Sequence, residues 1–360
     1  MLKTLRRSLG NFVEISRGRI LRRTHVPTPR TAACIETSQR CNLACRFCAY
    51  PKRGPGNFMN LAQFQETVEQ IVHYGSKEIW LTPMLGEIFA DPNWTDKLQY
   101  VDDHRKIERY GFFTNFILPS PKDLETLVKL RKLGSLHISI YGHDRDSFQK
   151  ITRKGDAQYQ RLLVNLEAMT SLLTSTRTDL EIHVSIRSTG DMTINDLPAS
   201  DIVTTLQKLS EISGASIIVS QDYDNWGGTV SDVDVAEIGT PLTDGRFIYM
   251  LGACQLLFCA PQISADGDLR ACACRDVDGS LTIGNIHDRP LNELHSFSNP
   301  AFVKIINDQQ AGRFSVNCRT CSLYRSIYDG RVASDDPRWP LLPFSEAQAI
   351  LSNHGQRYRN

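Results

Sequence analysis

Between residues 32 and 221, short apolar runs alternate with amphipathic helical runs. "TAACIET", "KEIWLTP", "RYGFFTNF", "SLHISIYG", "DLEIHVSIR" and "ASIIVSQ" read as six strands. The segments between them carry helical periodicity and helix punctuation: Asn60 as an N-cap, Gly75 as a stop, Pro121 near a first turn and Gly134 at an end. Strands that alternate with helices specify a parallel sheet with crossover helices, because consecutive parallel strands need a long connection. Six such units form either an open sheet or a partial barrel. In both, loops at the carboxyl ends of the strands build the site. The rhythm stops near "DYDNWGGTV". The expected organisation is a basic extension over 1–30, an α/β core over 31–225, a cysteine-bearing module over 245–325 and a tail over 326–360.

The ten cysteines fall in two groups, with none between Cys48 and Cys254. A secreted disulfide scaffold would be short and would spread its cysteines along the chain. The start shows no apolar core followed by a small-residue cleavage site, so a cytoplasmic location and thiolate-bound metal are expected. No apolar run approaches the ~20 residues of a membrane span. The net charge of +1 argues against a broad phosphate-binding face, so no nucleic-acid partner is expected. Residues 1–30 differ from the rest: eight Lys or Arg stand against the single acid Glu14, and Leu2, Leu5, Leu9 and Phe12 form a helical stripe. Such a segment can lie on a membrane surface or act as a transit peptide. The expected use is a helix docked on the body with a solvated basic face.

The first cysteine group, "CNLACRFC", directly follows the first strand. Cys41, Cys45 and Cys48 are spaced C-x3-C-x2-C. Closed zinc and iron–sulfur sites take four protein ligands. Three leave one metal position open to an outside ligand. This spacing, with Phe47 before the last cysteine, resembles the radical S-adenosylmethionine (radical SAM) superfamily. The resemblance covers about residues 32–221. It implies a partial (β/α)6 barrel, a [4Fe-4S] cluster on the three cysteines, S-adenosylmethionine on the open iron, and hydrogen abstraction by a 5′-deoxyadenosyl radical. It also implies a reductant such as flavodoxin or ferredoxin. "TPMLGE" stands where the family has a Gly-Gly-Glu-like element, so Gly86 and Glu87 are expected at the cofactor's amino group, although the double glycine is absent. By the same resemblance Thr114 and Asn115 follow the third strand. Ser139 and Ser185 meet the ribose at the fourth and fifth strands, and Arg187 reaches the carboxylate.

In the second group, Cys254 and Cys272 flank the hairpin signal "DG" at Asp266 and Gly267, and Cys318 and Cys321 form C-x2-C. Four thiolates complete either zinc or a cluster. The pattern C-x12-G-x4-C resembles the SPASM and twitch modules of radical SAM enzymes, small α+β units. No cysteine follows Cys321, which favours the single-cluster twitch form. The expected ligands of one auxiliary [4Fe-4S] cluster are Cys254, Cys272, Cys318 and Cys321, with Cys259 and Cys274 as rivals. Cys34, inside the first strand, reads as a small buried hydrophobe.

The resemblance implies an oxidoreductase or epimerase. Oxidation would send an electron to the auxiliary cluster; epimerisation would take hydrogen from a spare thiol, with Cys259 and Cys274 as catalytic candidates. Only about 30 residues precede the first strand, short for a leader-binding domain, so a small sugar-like biosynthetic intermediate is the expected substrate. The alternatives are a peptide, as in ribosomal-peptide maturases, and a non-catalytic iron–sulfur or zinc scaffold. Asp222, Asp224, Asn225 and Trp226 read as a solvated turn, and His137 and His183 as structural strand residues.

Overall fold

The computed structural model describes residues 2–353 other than 55, 83, 189–192, 221–222, 241, 244–247, 273–274 and 332–339, with the backbone alone for 2–9. Six parallel strands form its centre in sequence order. After a short β1 (Val26–Pro27) come β2 (Ala32–Ile35), β3 (Glu78–Leu81), β4 (Arg109–Thr114), β5 (Leu133–Tyr141), β6 (Glu181–Arg187) and β7 (Ser216–Ser220). The helices between them are α2 (Leu61–Tyr74), α3 (Trp94–Asp103), α4 (Pro121–Leu127), α5 (Arg145–Thr152), α6 (Asp156–Ser175) and α7 (Asp201–Ser213); α1 (Leu2–Ile20) precedes them. β7 ends the sheet, and the outer edge of β2 pairs with another strand, so the barrel stays open. The expected partial (β/α)6 architecture is the observed one.

Local chemistry explains most boundaries. Asn60 and Gln63 close a capping box on α2, and Gly75 ends it at φ 105°. Ser120 and Asp123 do the same for α4, with Pro121 in its first turn. The helix expected to reach Gly134 stops at Leu127 instead. Asp102 accepts hydrogen bonds from the backbone N–H groups of Lys132 (2.7 Å) and Arg131 (3.2 Å), which pulls them out of the helix, and Gly134 joins β5. Helix α7 starts at Asp201, capped by Ser200 after Pro198. Helix α5 was not anticipated; Asp144 and Ser147 cap it.

β6 alternates strictly. Ile182, Val184 and Ile186 are buried, while His183, Ser185 and Arg187 are half-buried. β5 does the same from His137 to Tyr141. Parallel strands covered on both faces read as continuous apolar runs. Here one face packs on the helices, and the other looks into the barrel.

The cysteine-bearing region continues the core sheet. β8 (Gln262–Ile263) pairs parallel to β2, and β9 (Asp268–Arg270) and β10 (Thr282–Asn285) extend it antiparallel, giving nine strands in the order β10-β9-β8-β2-β3-β4-β5-β6-β7. The expected hairpin at Gly267 is therefore β8–β9; that glycine sits at φ 83°. Part of the presumed tail is structural: β11 (Leu341–Leu342) pairs with β1, and the helix Phe344–Ser352 buries Ala347 and Leu351 completely.

Candidate active site

The loop after β2 brings Cys41, Cys45 and Cys48 to one cavity of about 630 Å³ at the carboxyl ends of the strands. The C-terminal end of α5 props this loop. Arg46 N–H donates to the Ile151 carbonyl (2.9 Å) and Ala44 N–H to that of Thr152 (3.3 Å). Around the sulfurs, the Asn115 side-chain amide approaches Cys41 Sγ at 3.7 Å and Tyr50 N–H approaches Cys48 Sγ at 3.4 Å. Burial pushes the Cys41 thiol up to about 12 and the Cys48 thiol to about 11, the second held back by Tyr50 N–H, Arg275 and Arg187; Cys45 is also raised by burial. Three thiols on one cavity, Cys45 buried and Cys41 and Cys48 partly so, become thiolates only against a cationic partner, which suits a metal cluster.

Gly86 presses on this loop. At φ 98°, its missing Cβ would lie 2.0 Å from the Ser38 carbonyl oxygen, a place only glycine can take. The next residue, Glu87, donates its N–H to the Arg40 carbonyl (2.8 Å). Glu87 lines the cavity but is only 1% exposed. Its carboxylate accepts from Thr114 Oγ1 (2.7 Å), Asn115 N–H (2.7 Å) and Phe89 N–H (3.3 Å). Burial raises its pKa to about 7. Asn115 in turn donates to Asn42 Oδ1 at 2.8 Å. Glu87, expected at a cofactor amine, thus also ties the loops after β3 and β4 to the cysteine loop.

Ser139, Ser185 and Arg187 all line the cavity, with Ser139 beside Ser185 and Tyr141 beside Arg187 in register. Phe47 packs between Tyr141 and Tyr223, each ring centre 5.1 Å away, with the Arg187 guanidinium 5.7 Å from its ring. His137 and His183 line the same cavity, stacked at 4.6 Å. His183 Nδ1 meets Ser216 Oγ at 2.8 Å, and Arg109 bridges Glu181 at 2.7 Å. Expected as structural strand residues, these histidines border the cavity as well. The signal was present: polar residues at every second position of a parallel strand mark a face that borders a cavity.

In the second group, Cys272 faces Cys254, Cys318 and Cys321 closely enough to raise the pKa of each, after burial as the larger cause for all three. Gln309 links two of them: its Oε1 accepts from Cys254 N–H (2.8 Å), and its amide meets Cys318 Sγ (3.6 Å). Cys259 lies elsewhere. It is buried with Cys34, Ala32, Trp80 and Ala260 in a small apolar cluster, and it is not among the cavity-lining residues. Cys274 lies outside the described residues. Among the described residues, no three His, Cys, Asp or Glu side chains sit close enough to hold a single ion. A cubane cluster takes each thiolate on a different iron, so its ligands stand wider apart.

A half-buried network joins the two groups, where a solvated turn was expected. Asp224 accepts hydrogen bonds from Arg275 Nε, Ser322 Oγ and Trp226 N–H, the last at 2.7 Å. The Arg275 guanidinium lies 4.6 Å over the Trp226 ring, and Trp226 Nε1–H donates to the Phe47 carbonyl at 2.9 Å. Of that expected turn, Asp222 lies outside the described residues. Arg275 and Trp226 also line the cavity.

A family model described as the Radical SAM superfamily matches residues 35–180. No curated protein matches the sequence. Among solved structures, BtrN in complex with AdoMet and 2-DOIA is similar at 14% identity and TM-score 0.51, covering 84% of this chain and 96% of that one. Streptococcus suis SuiB bound to precursor peptide SuiA is similar at 12% identity and TM-score 0.55, covering 84% and 71%. At such identities the likeness establishes the fold. Residues 35–180 thus match the radical SAM superfamily, whose enzymes use a [4Fe-4S] cluster and S-adenosylmethionine.

Proposed function

We propose that this radical SAM enzyme oxidises a small hydroxylated substrate, with Cys41, Cys45 and Cys48 holding the S-adenosylmethionine cluster and Cys254, Cys272, Cys318 and Cys321 holding an auxiliary one. When bound, the cluster and S-adenosylmethionine supply the radical that removes a hydrogen atom from the substrate. For a net two-electron oxidation the remaining electron would pass to the auxiliary cluster, when bound, and the proton to a base of the cavity. The observation that carries the reading is the common cavity: three thiols open onto the polar strand ends, and the Asp224–Arg275–Trp226 network joins that cavity to the second thiol group.

The chain's own residues have definable tasks. Gly86 and Glu87 fix the cysteine loop against the loops after β3 and β4. Ser139 and Ser185 offer hydroxyls, and Arg187 a cation, for the ribose and carboxylate of the cofactor. Phe47, wedged between two tyrosines, excludes water beside Cys48. His137 and His183 lie where a proton released by oxidation can be taken up. A small substrate is supported by the cavity volume, which lies in the range of small-molecule sites. BtrN, matched over 96% of its length, was solved with AdoMet and 2-DOIA. Oxidation is preferred to epimerisation on the placement of one of the two candidate donors: Cys259 packs beside Cys34, away from the cavity lining, while Cys274 lies outside the described residues. A flavodoxin or ferredoxin is the proposed electron donor.

Turnover in deuterated water tests the reaction type. Oxidation gives a product two mass units lighter with no deuterium on carbon. An isomer carrying one carbon-bound deuterium would overturn oxidation in favour of epimerisation.

A further inference from the structure

Helix α1 docks by one side and leaves its apolar stripe outside. Ile15 is buried, and Gly18 lies so close to residue 328 that a Cβ there would stand 2.1 Å from the Tyr328 carbonyl oxygen. Val13 and Ile20, seven residues apart, share one stripe, and at 100° per residue it points roughly away from Ile15 and Gly18. Val13 is 53% and Ile20 80% exposed; Phe12 and Leu21 are about half exposed. Four of the nine large apolar side chains exposed among the described residues therefore sit on this one helix and its end. Arg17, Arg19 and Arg22 are exposed among them, and in residues 1–30 eight basic residues face one acid, in a chain whose net charge is only +1. The expected docking is real, but the solvated face is apolar as well as basic.

We propose that α1 seats the enzyme on an anionic membrane surface, with Val13 and Ile20 entering the headgroup boundary and the arginines meeting lipid phosphates. The charge separation selects the occupant: a convex apolar stripe flanked by cations is the pattern of an interfacial helix. No helix among the described residues is long and apolar enough to cross a membrane, so the contact is peripheral. The bond strengthens with anionic lipid and weakens with salt, because each basic residue near the surface adds to the affinity.

The test is flotation of the full-length protein with phosphatidylcholine vesicles, with and without phosphatidylglycerol. Binding only to the anionic vesicles, reversed by salt, is expected. Val13→Ser with Ile20→Ser should lower that binding at least tenfold without changing the circular dichroism, since both side chains are exposed. Arg17→Gln with Arg19→Gln should lower it roughly thirtyfold. No flotation with anionic vesicles, equal flotation with neutral ones, or unaltered binding by both variants would overturn the proposal. So would self-association through α1 in place of vesicle binding, seen in sedimentation as a dimer that Val13→Ser with Ile20→Ser dissolves.

Discussion

Asp224 holds Arg275 with one carboxylate oxygen and Ser322 with the other, although sequence separates it from them by 51 and 98 positions. Arg275 lies near both thiol groups: its charge lowers the pKa of Cys48 in the first and of Cys321 in the second, against the larger opposing effect of burial. The pair therefore lies at the seam between the two proposed cluster sites. Its partners come from the loop after β7 and from the segments flanking Cys272 and Cys321.

Breaking that pair should be costly. Asp224→Ala leaves a largely buried guanidinium without its carboxylate, which destabilises by about 3 kcal/mol. Asp224→Ala with Arg275→Met should recover part of that loss. Thermal unfolding of the two single variants and the double variant measures the coupling. Additive losses would mean that the two residues do not act as a pair.

Gly86→Ala should disturb the cysteine loop. A methyl group 2.0 Å from the Ser38 carbonyl cannot be accommodated without backbone movement, and φ 98° is strained for alanine. Reconstituted iron should fall from about eight to about four per chain, because one cluster is lost. Gly155→Ala is the control, since nothing lies within 4 Å of its Cβ position. Unchanged iron in Gly86→Ala would remove this glycine from the support of the site.

His295 gives the fold an acid-sensitive group. It is buried between Tyr74 Oη (2.6 Å) and the Leu257 carbonyl (3.1 Å), and burial lowers its pKa to about 4. The folded protein keeps it neutral where the unfolded chain takes up a proton. The stability it contributes is therefore present above about 6.5 and lost as pH falls towards about 4, by up to about 3 kcal/mol. Denaturant midpoints across this range should fall less steeply for His295→Gln. Equal slopes would show that another group sets the dependence.

The alternation of strand and helix was legible because period-2 and period-3.6 patterns are local. Asn60, Gly75 and Pro121 were legible for the same reason: caps and stops act within a few residues. What escaped depends on distant partners. The length of α4 is set by Asp102, on α3. The turn at Asp224 became a network only because Arg275 and Ser322 fold onto it. The cysteine loop was readable from spacing, yet its prop, α5, was not. The inward polar face of β5 and β6 was visible in "HISIY" and "EIHVSIR", and was passed over because strand residues default to core.

Reductive cleavage of S-adenosylmethionine tests the central claim most directly. Anaerobically reconstituted and reduced, the protein should convert S-adenosylmethionine to 5′-deoxyadenosine and methionine. The variant with Cys41, Cys45 and Cys48 all changed to Ala should form none, while keeping about four irons on the second thiol group. Failure of the fully loaded protein to form 5′-deoxyadenosine, or cleavage at an unchanged rate by the triple variant, would contradict the account.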